Sequence, residues 1–187
     1  MKKAAKHILI LGLAIAAICG AFILANHISD NKAAQELVAR FGYFGIVAIA
    51  IVGGLNIIVP IHAATFTPIF VSAGFSMPSI IICLAVGTTL ADLAGYAIGR
   101  YGRNVTESPF PKIEAKVRHF VEHRPKLFYP GVFLYSAFIP FPNEAILLPL
   151  GLFGIKLWKI LIPFILGTII HQTIFAYGFN SVFELLF

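Results

Sequence analysis

Long apolar runs separated by short polar segments are the dominant pattern of this sequence. Three of the runs, residues 7–25, 79–100 and 157–179, are long enough to cross a bilayer as helices. Residues 7–25, for example, would span about 29 Å as an α-helix. A cleaved signal peptide would share the basic start of this run, but the length of the run favours an uncleaved anchor. We therefore predict an N-terminal transmembrane anchor within residues 1–28 and two later crossings.

Two polar segments have the pattern of amphipathic helices that lie along a membrane surface. Residues 29–45 begin with residues that cap helices and continue with mixed apolar and charged positions. Residues 107–126 are polar and basic, with Ile113, Val117 and Phe120 on one helical face. We predict that the first helix lies in the outer interface and the second on the cytoplasmic surface.

Two further apolar runs, residues 43–75 and 127–155, are interrupted near their middle. Each interruption contains prolines: Pro60 and Pro68 in the first run, and Pro140, Pro142 and Pro149 in the second. Proline removes a backbone hydrogen bond and breaks helices. Because the anchor and the 79–100 helix already return the chain to its starting side, each interrupted run must enter and leave on one side. We predict two re-entrant hairpins from opposite sides. Two thin crossings or one kinked helix in each run are the alternative.

The composition agrees with a membrane location. Of the 187 residues, 59% are hydrophobic and 12% are charged, about half the charged share of an average soluble domain. This composition excludes a soluble globular domain, and we predict an all-α integral membrane protein with one domain, residues 29–187, after the anchor. Cys19 and Cys83 both lie in apolar runs, so we predict small buried residues rather than a disulfide or metal pair.

The basic residues predict the orientation. They are concentrated before the first apolar run, between Arg100 and Lys126, and at Lys156 and Lys159. By the positive-inside rule these segments and the N-terminus face the cytoplasm, and residues 26–42 face outwards. We therefore predict a multi-pass protein of the cytoplasmic (inner) membrane. The net charge of +6 reflects this orientation and contact with an anionic leaflet, so nucleic acid is not a predicted partner.

An offset of 80 residues relates the two halves of the chain. It places Pro60 on Pro140, Gly74 on Gly154, and Gly87-Thr88 on Gly167-Thr168. Each unit, about 43–101 and 127–180, is a broken hairpin followed by a crossing helix. Because the two units have opposite predicted orientations, the sequence predicts an inverted repeat, an arrangement typical of transporters.

Two acidic residues, Asp92 and Glu144, lie inside apolar runs. An ionised carboxylate at bilayer depth costs several kcal/mol unless water, a proton or a cation compensates it. A broken hairpin supplies a wet cavity and the positive ends of half-helices. We predict that both acids lie in one cavity within about 10 Å, where like charges cannot both ionise cheaply. A capping role for Glu144 and a packing hydrogen bond from Asp92 are the structural alternatives.

Polar residues near these acids complete the candidate substrate- or proton-binding site: Asn143, Thr88, Gln172, His171 and His62. Gln172 occupies the position equivalent to Asp92 under the 80-residue offset. Histidine can carry a proton near neutral pH, but a lone membrane histidine is more often a packing donor. The sequence contains no metal-ligand cluster and no nucleophile–base pair. We therefore predict no catalytic residue, no metal and no cofactor, and no enzyme activity.

Two motifs resemble those of a known family. GTTLADLAGYAIGRYGRN, residues 87–104, resembles the glycine–aspartate–tyrosine–glycine–arginine motif of DedA/VTT-domain membrane proteins, and FPNEAILLPLG, residues 141–151, is similar to their hairpin motif. The resemblance covers roughly residues 36–180. It implies two opposed re-entrant hairpins and a role in moving lipids between leaflets or in proton-coupled transport. Carried over by position, Asp92 matches the family's acidic residue and Glu144 a hairpin glutamate.

The chain departs from this family pattern in both hairpins. Ala64 stands where the family's first-hairpin glutamate is usual, and no lysine or arginine occurs between Lys126 and Lys156, where the family has arginines. Such arginines are natural partners of a lipid phosphate. Arg100 and Arg103, at the cytoplasmic end of the Asp92 helix, are the predicted substitutes at the membrane surface.

The leading hypothesis is a DedA-like lipid translocase, a flippase or scramblase of phospholipid or polyprenyl-phosphate carrier, with coupling to protons. A proton-coupled exporter of small cations or drugs is one alternative, and a non-transporting membrane scaffold is another. The expected partners are membrane lipids, with protons or cations, and assembly as a homo-oligomer is left open.

Overall fold

A computed structural model describes residues 31–54, 62–105, 110–139 and 141–186, together with isolated positions between 12 and 27. Over these residues the protein is helical and has no strands. Three helical stretches are long and apolar enough to cross a membrane: Gln35–Gly54, Met77–Arg103 and Leu157–Leu186. The predicted all-α membrane class is therefore confirmed. The predicted anchor at 7–25 lies largely outside the described residues.

Helix α1, Lys32–Gly54, contains both the predicted surface helix and the start of the first hairpin. The sequence pattern predicted two elements that divide near residues 43–45, whereas the structure joins them in one element of 23 residues. Gly42 interrupts its helical geometry with a φ of 57° and a ψ of −156°, a positive-φ conformation that is essentially restricted to glycine. The kink lets the amphipathic first part and the apolar second part follow different directions.

The first interrupted run is not one continuous helix. After α1 the described chain resumes at His62, forms a 3-10 turn at Ala63–Phe66, and continues as helix α2, Thr67–Ser72. Pro68 lies in the first turn of α2, where its missing N–H had no helical partner to lose. Pro60, the other predicted break, lies outside the described residues.

Helices α3, Met77–Val105, and α7, Leu157–Leu186, are the two predicted crossings. Their 29 and 30 residues give lengths of about 44 Å, more than the bilayer's hydrocarbon thickness of about 30 Å. Both helices keep large apolar side chains exposed, such as Ile98 and Ile162. In a membrane these side chains contact lipid.

Helix α4, Pro111–His123, is the short helix predicted in the basic segment between the crossings. Its contact with the core is made by Val121, which is buried, and Val117, which is partly buried. Ile113 and Phe120 are largely exposed instead. Only part of the apolar face predicted from the sequence therefore packs on the protein core, and the rest is exposed at the surface of the protein.

The second interrupted run is broken as predicted. Helix α5, Pro125–Phe138, ends before a link whose described residues are 139 and 141–143, and helix α6, Glu144–Leu152, follows directly. Pro140, the other predicted break in this stretch, lies outside the described residues. Pro142 lies in this link, whereas Pro149 lies inside α6 without ending it. The break is therefore confined to the link.

The two hairpins end in the same local structure, 80 residues apart. Gly74 and Gly154 have positive φ values of 89° and 70°. After each glycine, the next residue donates its N–H to a carbonyl five residues earlier, which is the long hydrogen bond of a Schellman cap. This matches the predicted repeat at these caps. The opposite orientation of the two units stays a prediction.

Glycines let neighbouring helices approach closely. Gly99 on α3 lies against the carbonyl of Leu148 on α6, and Gly151 on α6 lies against the carbonyl of Tyr96 on α3. Small residues allow such backbone contact between membrane helices. Helix α3 also packs on α1 and α7, and α5 packs on α7. Helix α3 is therefore the central element that fixes the position of Asp92.

The cysteine prediction was wrong in its burial. Cys19 is exposed and Cys83 is partly exposed, and both are free thiols. A position within an apolar run of a membrane helix can face lipid, so an apolar neighbourhood in sequence does not imply burial in the protein.

The predicted orientation can be tested by single-cysteine labelling with an impermeant reagent, after both native cysteines are replaced by serine. We expect Gln35→Cys and Leu185→Cys to label on intact cells, because both positions are predicted to lie outside. Val105→Cys and Phe120→Cys should label only after the membrane is permeabilised, because both positions are predicted to face the cytoplasm. External labelling at position 120 would overturn the orientation and the hairpin prediction with it.

Candidate functional site

A polar cavity of about 260 Å³ lies between the two broken runs and helices α3 and α7. Six of the eight predicted site residues line it: His62, Thr88, Asp92, Asn143, His171 and Gln172. Residues more than 100 positions apart in sequence, such as His62 and His171, meet there. The broken segments thus border a cavity, where irregular backbone in a membrane protein is tolerated.

Asp92 is the acidic residue of the cavity wall. It lies on the regular part of α3 and is 2% exposed. Nδ2 of Asn143, in the link of the second hairpin, donates a hydrogen bond of 3.1 Å to Oδ2 of Asp92. A crossing helix and a hairpin break are therefore joined through the side chain that carries the charge. The side-chain amide of Asn143 therefore replaces part of the water that would otherwise solvate the Asp92 carboxylate.

Thr88 and Gln172 form a second polar pair between the two crossing helices. Nε2 of Gln172 donates to Oγ1 of Thr88 at 3.2 Å. The Thr88 hydroxyl donates in turn to the carbonyl of Leu84 at 2.8 Å, so its proton is directed along its own helix. Oε1 of Gln172 is buried and has no hydrogen-bond partner among the described residues.

His62 and His171 form a third pair, which joins the first hairpin to α7. Their Nε2 atoms lie 3.0 Å apart, and the ring of Phe175 stacks on His62 with centroids 4.6 Å apart. The N–H of Ala64 donates to Nδ1 of His62 at 3.2 Å and so caps the 3-10 turn. Because Nδ1 accepts this bond, the neutral His62 ring carries its proton on Nε2 and donates it to His171.

Glu144 and Arg100 are the two predicted site residues that the structure does not place in the cavity wall. Glu144 is 3% exposed and is the first residue of α6, with its side chain against Gly95 of α3. Asp92 lies one helical turn before Gly95, close enough for the two carboxylates to interact electrostatically. Arg100 is exposed farther along α3, beside the cap at Gly154.

Six further residues of the cavity lining were not among the predicted site residues: Gly53, Gly54, Ala63, Phe141, Pro142 and Phe175. Phe175 had a signal, because it lies one turn beyond His171 on the same helical face. Gly54 packs against Thr88 and Ala91. Contacts across this distance in the chain leave no local pattern, so the glycines could not be assigned from sequence.

The cavity lining contains an acidic side chain that is not balanced by a basic lysine or arginine of the described wall. Asp92 is acidic, and the described lining residues include no lysine or arginine. Within the same described ranges, no three His, Cys, Asp or Glu side chains are grouped as metal ligands. The site can therefore accommodate a proton, a small cation or water beside the carboxylate, and it lacks a described counter-charge for an anion.

The sequence was compared with family models, curated proteins and solved structures. The model of the VTT domain matches residues 64–181, which are 118 of the 187 residues. The searches of curated proteins and of solved structures returned no match. The matched range includes five of the six polar residues that line the cavity, and His62 lies just before it. With more than half of its length matched, the chain belongs to the VTT domain family.

Proposed function

We propose that this protein is a membrane transporter of the DedA type that moves lipid between leaflets and is coupled to protons at Asp92. The observation that carries the proposal is the polar cavity, which contains a buried carboxylate and is bordered by the broken segments of both interrupted runs. Intramembrane acids that face a cavity between broken helices are typical of ion-coupled transport.

The cavity is best suited to the coupling ion. Sites for drug-sized ligands usually enclose about 300 Å³ or more, whereas this cavity holds about 260 Å³. It could contain a few waters and a proton or small ion beside Asp92. A lipid would instead pass along the outer faces of the hairpins, with its acyl chains in the bilayer. Family membership supports lipid as the cargo.

A second candidate function is export of a small cation or cationic drug in exchange for protons. The observation that favours it is the charge of the cavity, since Asp92 is not balanced by a described lysine or arginine in the wall. A carboxylate in such surroundings binds a proton or a cation in alternation, which is the basis of exchange. The cavity would need to enlarge for a drug-sized cation.

Reconstitution into liposomes distinguishes these functions. We expect labelled phospholipid to move between leaflets faster than in protein-free liposomes, and faster still when a pH gradient is applied. Movement of a cationic dye against the gradient, with no lipid movement, would favour the exporter. If neither cargo moves in protein that is folded and correctly inserted, the scaffold alternative becomes the better account.

A further inference from the structure

We propose that the His62–His171 pair is a proton-operated latch that holds the first hairpin against α7 and restricts access to the cavity. The proposal deepens the transport function above and rests on it for its biological meaning. Among the described residues, the hydrogen bond between the two histidine side chains connects the first hairpin directly to α7. Their Nε2 atoms lie 3.0 Å apart. His62 is also the residue that caps the 3-10 turn of that hairpin.

The hydrogen bonds of the histidine pair are incompatible with an added proton. In the neutral pair His62 carries its proton on Nε2 and donates it to Nε2 of His171, while Nδ1 of His62 accepts from Ala64. A proton added at Nε2 of His171 would set two N–H groups against each other. A proton added at Nδ1 of His62 would oppose the Ala64 N–H. Either addition breaks a bond that holds the hairpin in place.

The surroundings of the pair favour its neutral form while the hairpin is held against α7. His171 is 8% exposed and His62 is partly exposed, and the ring of Phe175 packs on both histidines. Burial against an aromatic ring disfavours a charged imidazole. When the hairpin moves away and the rings meet water, each can take a proton at the ordinary histidine pKa of about 6.5. Acid therefore favours the open form.

Other groups around the pair define the controls. Asp92 on α3 is the acidic side chain of the shared cavity, with Thr88 on α3, Asn143 in the link and Gln172 on α7 as its neutral polar groups. The wall contributed by α1 consists of glycines. Asp92, and the buried Glu144 beside it, are thus the described carboxylates that could produce a pH response in place of the histidines, and Asp92→Asn and Glu144→Gln remove them.

The test measures how fast a cysteine in the cavity reacts with a water-soluble thiol reagent as the pH changes. Thr88→Cys, in a background with Cys19→Ser and Cys83→Ser, places the thiol in the wall. Each rate is divided by the rate for the unfolded protein at the same pH, which corrects for thiolate formation. From about pH 7.5 to about pH 5.5 we expect the corrected rate to rise about tenfold if one histidine is protonated on opening.

The double variant His62→Gln/His171→Gln should remove this rise, because neither ring of the pair is left to take a proton, and His62→Asn/His171→Asn provides a second substitution if it does not fold. The double variant His119→Gln/His123→Gln should keep it, because that exposed pair lies on α4. The corrected rate at Tyr101→Cys, an exposed position on α3, should not change with pH.

Asp92→Asn separates the latch from the proposed function, because it should lose coupled transport and keep the pH-dependent reaction rate. A wild-type cavity whose corrected rate does not change with pH would overturn the latch. A rise that persists in the His62→Gln/His171→Gln double variant, or disappears in Asp92→Asn or Glu144→Gln, would do the same, since it would assign the response to another group.

Discussion

Replacement of Asp92 by asparagine is expected to abolish the effect of a pH gradient on transport while the protein still folds and inserts. Asparagine has nearly the same shape and can still contact Asn143, which now donates to Oδ2 of Asp92, but it cannot bind and release a proton. The residual lipid movement should be the same with and without the gradient. Labelled-lipid movement in liposomes, measured in both conditions, checks this expectation.

Glu144→Gln is the matched comparison for Asp92→Asn. Both substitutions exchange a buried carboxylate for its amide, but Asp92 lines the cavity and Glu144 lies beside it against Gly95. We expect a smaller loss of gradient response for Glu144→Gln. If both single variants and the double variant remain fully pH-responsive, the two acids have structural roles and the proton-coupling proposal fails.

Alanine at Gly99 or Gly151 is expected to destabilise the whole protein. A methyl group at Gly99 would overlap the carbonyl of Leu148, and one at Gly151 would overlap the carbonyl of Tyr96. Helix backbones cannot move aside as a flexible side chain can, so each change should cost about 3 kcal/mol, the upper part of the range for overpacking. Thermal unfolding in detergent should show melting temperatures lower by several degrees.

Gly102→Ala is the control for this prediction, because its nearest neighbour would be a side-chain carbon of Leu152 at 3.8 Å, an ordinary contact. Gly131→Ala and Gly178→Ala would meet nothing within 4 Å. These three variants should melt at or slightly above the wild-type temperature, since alanine favours helix over glycine. Equal melting temperatures for Gly99→Ala and Gly102→Ala would contradict the close contact of α3 and α6.

The crossing helices and the break in the second hairpin were accessible from the sequence. Hydrophobic runs of sufficient length have few alternatives in a bilayer, because every backbone polar group must be satisfied internally. Pro140, Pro142 and Gly154 have local conformational preferences that do not depend on distant contacts. Asp92 could also be identified from the sequence, because burying a carboxylate of an apolar run in the bilayer costs free energy wherever the chain folds.

The tertiary structure alone decided which polar residues meet. The pairing of His62 with His171 and of Thr88 with Gln172 depends on how α3, α7 and the first hairpin pack, and these residues are 109 and 84 positions apart. It also separated Asp92, in the cavity wall, from Glu144 beside it. Sequence determined the elements because their preferences are local. Packing determined the site because a side chain's partners depend on interhelical distances that no local pattern encodes.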